Sequence, residues 1–370
     1  MIIQSKNVWI DENLQPAQIE IKNDKIIAIY PYNEKVVDID YQDKWILPGF
    51  IDIHCHGHNG TDSNKPTLKG MRKWAKHMPK EGVTAFLATT STQSVNKNEK
   101  AMVTYSRIID RIDEGAEILG INMEGNFISK ECKGAQNKRY IVAPDGEALE
   151  KYQILSGNNI ISVTYAAELD KDFSFVKKCN ELKIVASIGH SACSFNQAKE
   201  ALENGASAIT HTGNGMKPFH HRKPGLFGAA VNLDGFYAEV IGDGIHVDFQ
   251  TAHLIGKMKG KDKLILVTDS AVQKDDKKYN FLNKDGAYRF PNGTLFGSAL
   301  YVNEGVNNLH KKANLDLVTA INSATINPAK YCQCDDRKGS IEVNKDADLV
   351  VCDENIKVYE VYCRGVKQQL

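Results

Sequence analysis

Several things are scarce in this sequence, and each scarcity removes a class of answer. The 46 basic residues are matched by 46 acidic ones, so no global field draws the chain to nucleic acid or to an anionic membrane. No apolar stretch approaches the length of a membrane span. The opening residues MIIQSKNVWIDEN turn polar before a secretory signal could form, and a soluble, cytoplasmic protein is expected. The eight cysteines, at 55, 132, 179, 193, 332, 334, 352 and 363, show no paired CxxC spacing of a structural zinc site and read as reduced thiols. Internal repeats, low-complexity tracts and flexible linkers are absent too.

What is present is a large chain with a strong pattern. Its 370 residues, 42% of them hydrophobic, are enough for one large core with an appendage. Between about residues 50 and 270, short β-branched runs alternate with helical periodicity, the form of repeated βα units around a parallel sheet. Eight such runs occur: 50–54, 83–88, 117–122, 160–166, 183–189, 206–210, 236–241 and 262–268. Eight implies a closed (β/α)8 barrel of the TIM type. Between the first two, Leu68, Met71, Trp74 and Met78 recur at helical spacing as a packing face, and Gly82 stands where that helix would stop. The flanks are strand-rich, with a turn at Asn23-Asp24. Residues 1–48 and 335–370 are therefore expected to pair into a small β-sandwich-like domain, with the barrel inserted as residues 49–334.

Barrels of this kind carry their chemistry at the C-terminal ends of strands. His54 and His56 end the first run, and Glu124, His190, His211 and Asp269 follow the third, fifth, sixth and eighth. The period-two geometry of a strand points His54 and His56 to one side, with Cys55 turned away. Four imidazoles and two carboxylates converging at strand ends make a poor apolar core, because buried charge is costly unless paired or bound to metal.

The motifs LPGFIDIHCHG (47–57), NMEGNFIS (122–129), GHSACSFNQAKEALENGASAITHTGNGM (189–216), HRKPG (221–225), DGIHV (243–247), LVTDS (266–270) and LFGS (295–298) resemble those of the N-acetylglucosamine-6-phosphate deacetylases, within the amidohydrolase superfamily. The resemblance spans nearly the whole chain and is most specific in the block joining His190 to His211. It implies removal of the N-acetyl group from an amino-sugar 6-phosphate, with one or two divalent metal ions, zinc or iron, per chain. Glu124, His190 and His211 then match the main metal ligands, His54 and His56 the pair that holds a second ion, and Asp269 the catalytic acid/base. The substrate-binding positions it implies are Ala135, Gln136, Asn214, Gly215, Arg222, Asp243, Gly244, Ile245, His246, Phe296, Gly297 and Ser298. Among these, Arg222 and His246 match phosphate contacts, and the arginine reaches across from a partner subunit, which implies a homodimer with shared sites.

Departures from the family pattern concern the pocket. Asn126 replaces a proline after Glu-Gly, Gly213 and Gly215 replace an aromatic residue and an alanine around Asn214, and Gln136 replaces a histidine that polarises the acetyl carbonyl. The alternatives are a galactosamine 6-phosphate substrate, another amidohydrolase reaction on a cyclic amide or an amine, and a non-catalytic sugar-phosphate sensor. Glu124 after the third run favours the deacetylase over enzymes that bridge their metals with a carboxylated lysine, and retention of Asp269 argues against a sensor. His58 and His220 are expected at the surface or behind the site, and His77, His253 and His310 on helices outside it.

Overall fold

A computed structural model describes residues 1–278 and 283–370 of the chain. Its centre is an all-parallel sheet of eight strands: β1 (Phe50–Cys55), β2 (Val83–Thr90), β3 (Glu117–Glu124), β4 (Ile160–Tyr165), β5 (Val185–Ile188), β6 (Ala208–Ile209), β7 (Tyr237–Ile241) and β8 (Leu264–Val267). They neighbour one another in sequence order. Every apolar run read from the sequence is one of these strands. The buried valines, isoleucines and leucines that made the runs conspicuous fill the barrel and the layer beneath its helices, as expected where both faces of a parallel sheet are covered.

Ladder pairing does not itself close the ring. The seam between β8 and β1 is joined one step beyond the strands, where Asp269 N–H donates to the His54 carbonyl at 2.8 Å and His56 N–H to the Ser270 carbonyl at 3.0 Å. Inside the seam the Thr268 hydroxyl donates to Asp52 at 2.6 Å, and Asp52 accepts the His54 N–H at 3.1 Å.

Helix α1 (Leu68–His77) shows how the connections follow from sequence. Thr67 caps its first turn by accepting the Gly70 N–H, and Met71 and Trp74 are buried on one face. A single 3-10 turn follows, and Gly82 ends it with φ of 78°, a left-handed conformation that glycine adopts without Cβ strain.

The two chain ends meet in a second sheet of eight strands, in which Trp45–Pro48 pairs antiparallel with Leu349–Cys352. Ile3, Ile19, Ile46, Leu349, Val351 and Tyr362 form its own apolar core. No helix among the described residues is long and apolar enough to cross a membrane. All eight cysteines are buried and unbridged.

A buried cation ties this sheet to the barrel. Lys338, 2% exposed, lies 2.5 Å from Asp348, 2.9 Å from Asp346 and 2.9 Å from Glu117 at the start of β3. Its removal leaves the buried Asp348 without a cation, while Glu117 and Asp346 keep Arg337. Lys338→Met is expected to destabilise the protein by about 3–5 kcal/mol, measured as a drop in the urea midpoint.

Candidate active site

The polar residues at the C-terminal ends of the strands converge on one cavity of about 220 Å³, with His56, Glu124, His190, His211 and Asp269 in its wall. Glu124 is the hub. Its Oε1 lies 2.9 Å from His190 Nε2 and 3.0 Å from His211 Nε2, and its Oε2 lies 3.3 Å from His56 Nε2. Asp269 Oδ1 stands 3.1 Å from His56 Nε2 and 3.7 Å from His54 Nε2. His54 is fully buried beneath the cavity, while Cys55 packs in the hydrophobic core.

Each of three imidazoles is held by its far nitrogen. His54 Nδ1 meets Glu239 at 3.0 Å, His56 Nδ1 the Thr89 carbonyl at 3.0 Å, and His190 Nδ1 the Cys132 carbonyl at 2.8 Å. An oxygen acceptor on Nδ1 fixes the tautomer that leaves Nε2 with a lone pair facing inward, the usual outer support of a metal-binding histidine. His54 Nε2 is buried with no hydrogen-bond partner among the described residues.

The electrostatics ask for positive charge. Burial opposes a charged His54, but Glu239, Glu124 and Asp269 outweigh it and hold its pKa at about 9. Burial likewise pushes Asp269 up, and the hydrogen bond from His56 with the charges of His54 and His56 brings it down to about 2. Glu124 is driven well below the carboxylate range by His190, His211 and His56 despite its burial. A divalent ion answers the same field through the inward lone pairs. Two three-residue groups are positioned to hold one, Glu124 with His190 and His211, and His54 with His56 and Asp269. Nitrogen–oxygen sets of this kind suit zinc or iron.

The backbone is strained where the chemistry sits: His190, His211 and Asp269 have φ of 45°, 28° and 46°. Non-glycine residues hold such angles only where surrounding structure imposes them, and they cluster at functional sites.

Ala135, Gln136, Asn214, Gly215, His246, Phe296 and Gly297 all line the cavity, together with Gly134, Thr294 and Leu295. Asp243 accepts the N–H groups of Ile245 and His246 at 2.8 and 2.9 Å and meets His246 Nδ1 at 2.6 Å, so Asp243, Gly244 and Ile245 form the turn that aims His246. Gly244 and Ile245 are not part of the cavity wall. Ser298 is fully buried, and its hydroxyl bonds the Thr268 carbonyl at 2.5 Å; it braces the segment leading to Asp269 rather than facing the cavity. Arg222 lies on an exposed loop, 2.8 Å from His221, and among the described residues neither lysine nor arginine occurs in the wall.

Gln136 does not offer its amide to the cavity. It donates to Glu124 Oε2 at 2.6 Å and accepts the Thr92 N–H at 2.8 Å, so it orients the hub carboxylate. Asn126 has φ of 65°, an angle that proline's ring forbids. Its side chain donates to the Gln93 and Tyr140 carbonyls at 2.7 and 2.8 Å. His58, expected near the surface or behind the site, is 2% exposed and stacks on His77.

Sequence reasoning passed over Glu239 and Asp52. Each is an acid inside an otherwise apolar strand, and that isolation was the available signal, since a charge is buried there only for a partner.

An eight-stranded parallel barrel with histidines and carboxylates gathered at its C-terminal mouth defines a metal-dependent hydrolase of the amidohydrolase type. The amidohydrolase family matches residues 45–367. The chain is 39% identical to the N-acetylglucosamine-6-phosphate deacetylase of Bacillus subtilis (strain 168), covering 87% of this chain and 84% of that protein. It is 28% identical to the N-acetylgalactosamine-6-phosphate deacetylase of Escherichia coli O157:H7, covering 96% and 95%. The crystal structure of the N-acetylglucosamine-6-phosphate deacetylase from Pasteurella multocida superposes with a TM-score of 0.92 at 28% identity, covering 100% of both chains. The chain belongs to the amidohydrolase family and, within it, to the N-acetylglucosamine-6-phosphate deacetylases.

Gly215 is tied to the histidine packing. A Cβ on Gly215, whose φ is 57°, would lie 2.7 Å from His190 Nδ1. Gly215→Ala is therefore expected to push His190 off Glu124 and to weaken metal binding about tenfold or more, in line with the usual cost of disturbing a ligand's supports. Competition with a chromogenic chelator measures it.

Proposed function

We propose that this site hydrolyses the N-acetyl group of N-acetylglucosamine 6-phosphate to give glucosamine 6-phosphate and acetate. The observation that carries the reading is the placement of Asp269, whose charged carboxylate stands at the cavity beside the histidine cluster around Glu124. A non-catalytic sugar-phosphate sensor has no use for a base there.

Glu124, His190 and His211 would hold one divalent ion, zinc or iron, and His54 and His56 would hold a second where two are bound. When bound, the metal acidifies water and polarises the amide carbonyl. Asp269 accepts the proton that water gives up as its oxygen bonds to the acetyl carbon, and returns it to the sugar nitrogen as the C–N bond breaks. Gln136 and Glu239 keep the surrounding ligands in register from behind.

The phosphate needs a cation that the described residues of the cavity wall in one chain do not supply. His246 lies at the border of the cavity and an apolar groove lined by Phe219, Phe227 and Leu254. Phe219 is 55% exposed and Leu254 46%. A second copy packed on this groove covers those side chains and brings its own Arg222 to the cavity, so the working unit is a homodimer. The catalytic unit comprises residues 49–334, and residues 1–48 with 335–370 form the accessory domain. Eight buried thiols suit the cytoplasm.

Asp269→Asn is expected to keep the fold and an ion at Glu124, His190 and His211 while losing about 10²–10⁴-fold in kcat, measured by acetate release; near-native turnover refutes the assignment. Arg222→Ala is expected to lower kcat/KM for the 6-phosphorylated sugar about 10–100-fold, the worth of a charged hydrogen bond. Slow activity on the unphosphorylated sugar stays unchanged. Equal losses on both sugars remove the phosphate from the reading, and faster release from N-acetylgalactosamine 6-phosphate shifts the sugar.

A further inference from the structure

A separate cluster of donor atoms lies outside the cavity wall. His58, just past β1, His77, at the end of α1, and Glu81, in the turn that follows, each place one donor atom within 4.8 Å of the others. The Asp275 carboxylate joins them, with Oδ2 3.5 Å from His58 Nδ1 and 3.3 Å from His77 Nε2.

The hydrogen-bond inventory is what sets this group apart. His58 is 2% exposed, yet neither of its ring nitrogens has a hydrogen-bond partner among the described residues, and His77 Nε2 meets only the edge of the Asp275 carboxylate, 3.3 Å away. A buried polar atom left without a partner is costly. Two such atoms on one buried ring, beside a second imidazole and two carboxylates, mark a place built for a ligand. At the active site His54, His56 and His190 are anchored through Nδ1 on a carboxylate or carbonyls, while His211 Nδ1 has no partner among the described residues.

We propose that His58, His77 and Asp275, with Glu81 as a fourth donor, form a binding site for a divalent transition-metal ion, distinct from the catalytic cluster. Two imidazoles and carboxylates make a zinc-type donor set. Metal–ligand bonds of about 2.0–2.1 Å in a tetrahedron put neighbouring donors roughly 3.3–3.4 Å apart, and the two edges to Asp275 are close to that. Glu81 and Asp275 are negative, and Lys274, 2.6 Å from Glu81, and Lys73 offset part of that charge. One adjustment is required. The two rings stack with centroids 3.5 Å apart and planes at 25°, so their lone pairs converge only when one ring turns. His77, with its side chain 17% exposed, is the ring with room to do so.

Such an ion would be structural. Asp275 belongs to the segment that follows Asp269, and that segment continues to the strands Ala287–Arg289 and Leu295–Ser298, the second of which supplies Phe296 and Gly297 to the cavity wall.

The test is a difference in metal content between wild type and variants, which does not depend on how many ions the catalytic cluster holds. Protein stripped with a chelator is titrated with zinc chloride, and bound zinc is counted by mass spectrometry beside His77→Ala and Asp275→Asn. Wild type is expected to bind one more equivalent than either variant and to gain several degrees more in Tm on zinc addition. Acetate release by the zinc-loaded variants is expected to stay within about twofold of wild type. Equal zinc content in all three proteins overturns the proposal. Should either variant fold poorly, wild-type crystals soaked in zinc decide: an anomalous peak between His58, His77 and Asp275 supports the site, and its absence there, with zinc at the catalytic cluster, refutes it.

Discussion

The closure of the barrel between its first and last strands is the constraint on which the rest depends. The hydrogen bonds that complete the ring are made by the backbones of His54, His56, Asp269 and Ser270, so the residues that join the seam are also those that carry the chemistry. Asp52, buried and bonded to Thr268 and to the His54 N–H, locks the two strands in register. Burial pushes its pKa up to about 6, opposed by these hydrogen bonds. A slip at the seam would separate Asp269 from the histidines it faces.

Around that seam, charge rather than apolar packing decides the arrangement. Glu124 draws three imidazoles to within 3.3 Å, and Glu239 and Gln136 hold the cluster from outside. This concentration of carboxylate in a buried space is favourable only with cations or protons to match it. The strained φ values of His190, His211 and Asp269 are the conformational cost of turning three side chains into one space directly at strand ends. The barrel around them, over-determined by its parallel ladder, keeps them there.

The departures from the family pattern become intelligible as local packing. Asn126 takes a positive φ closed to proline and ties three neighbouring segments together with its amide. Gly215 leaves room for the His190 ring. Gln136 supports Glu124. All three changes act on the walls and supports of the site and leave the convergent histidines and carboxylates in place.

The sequence by itself determined the eight strands, the helix face of Leu68, Met71 and Trp74, the joining of both chain ends, and the polar residues at the strand ends. These are written in local periodicity: burial on both faces makes a strand continuously apolar, and the first residue beyond it must change character. Only the tertiary structure decided what lies behind those residues. Glu239 holding His54, Gln136 clamping Glu124, Ser298 bracing the approach to Asp269, and His58 buried against His77 all join positions far apart in the chain. No periodicity records which side chain on one strand will meet which on another, because that is set by barrel closure and by side-chain packing in three dimensions.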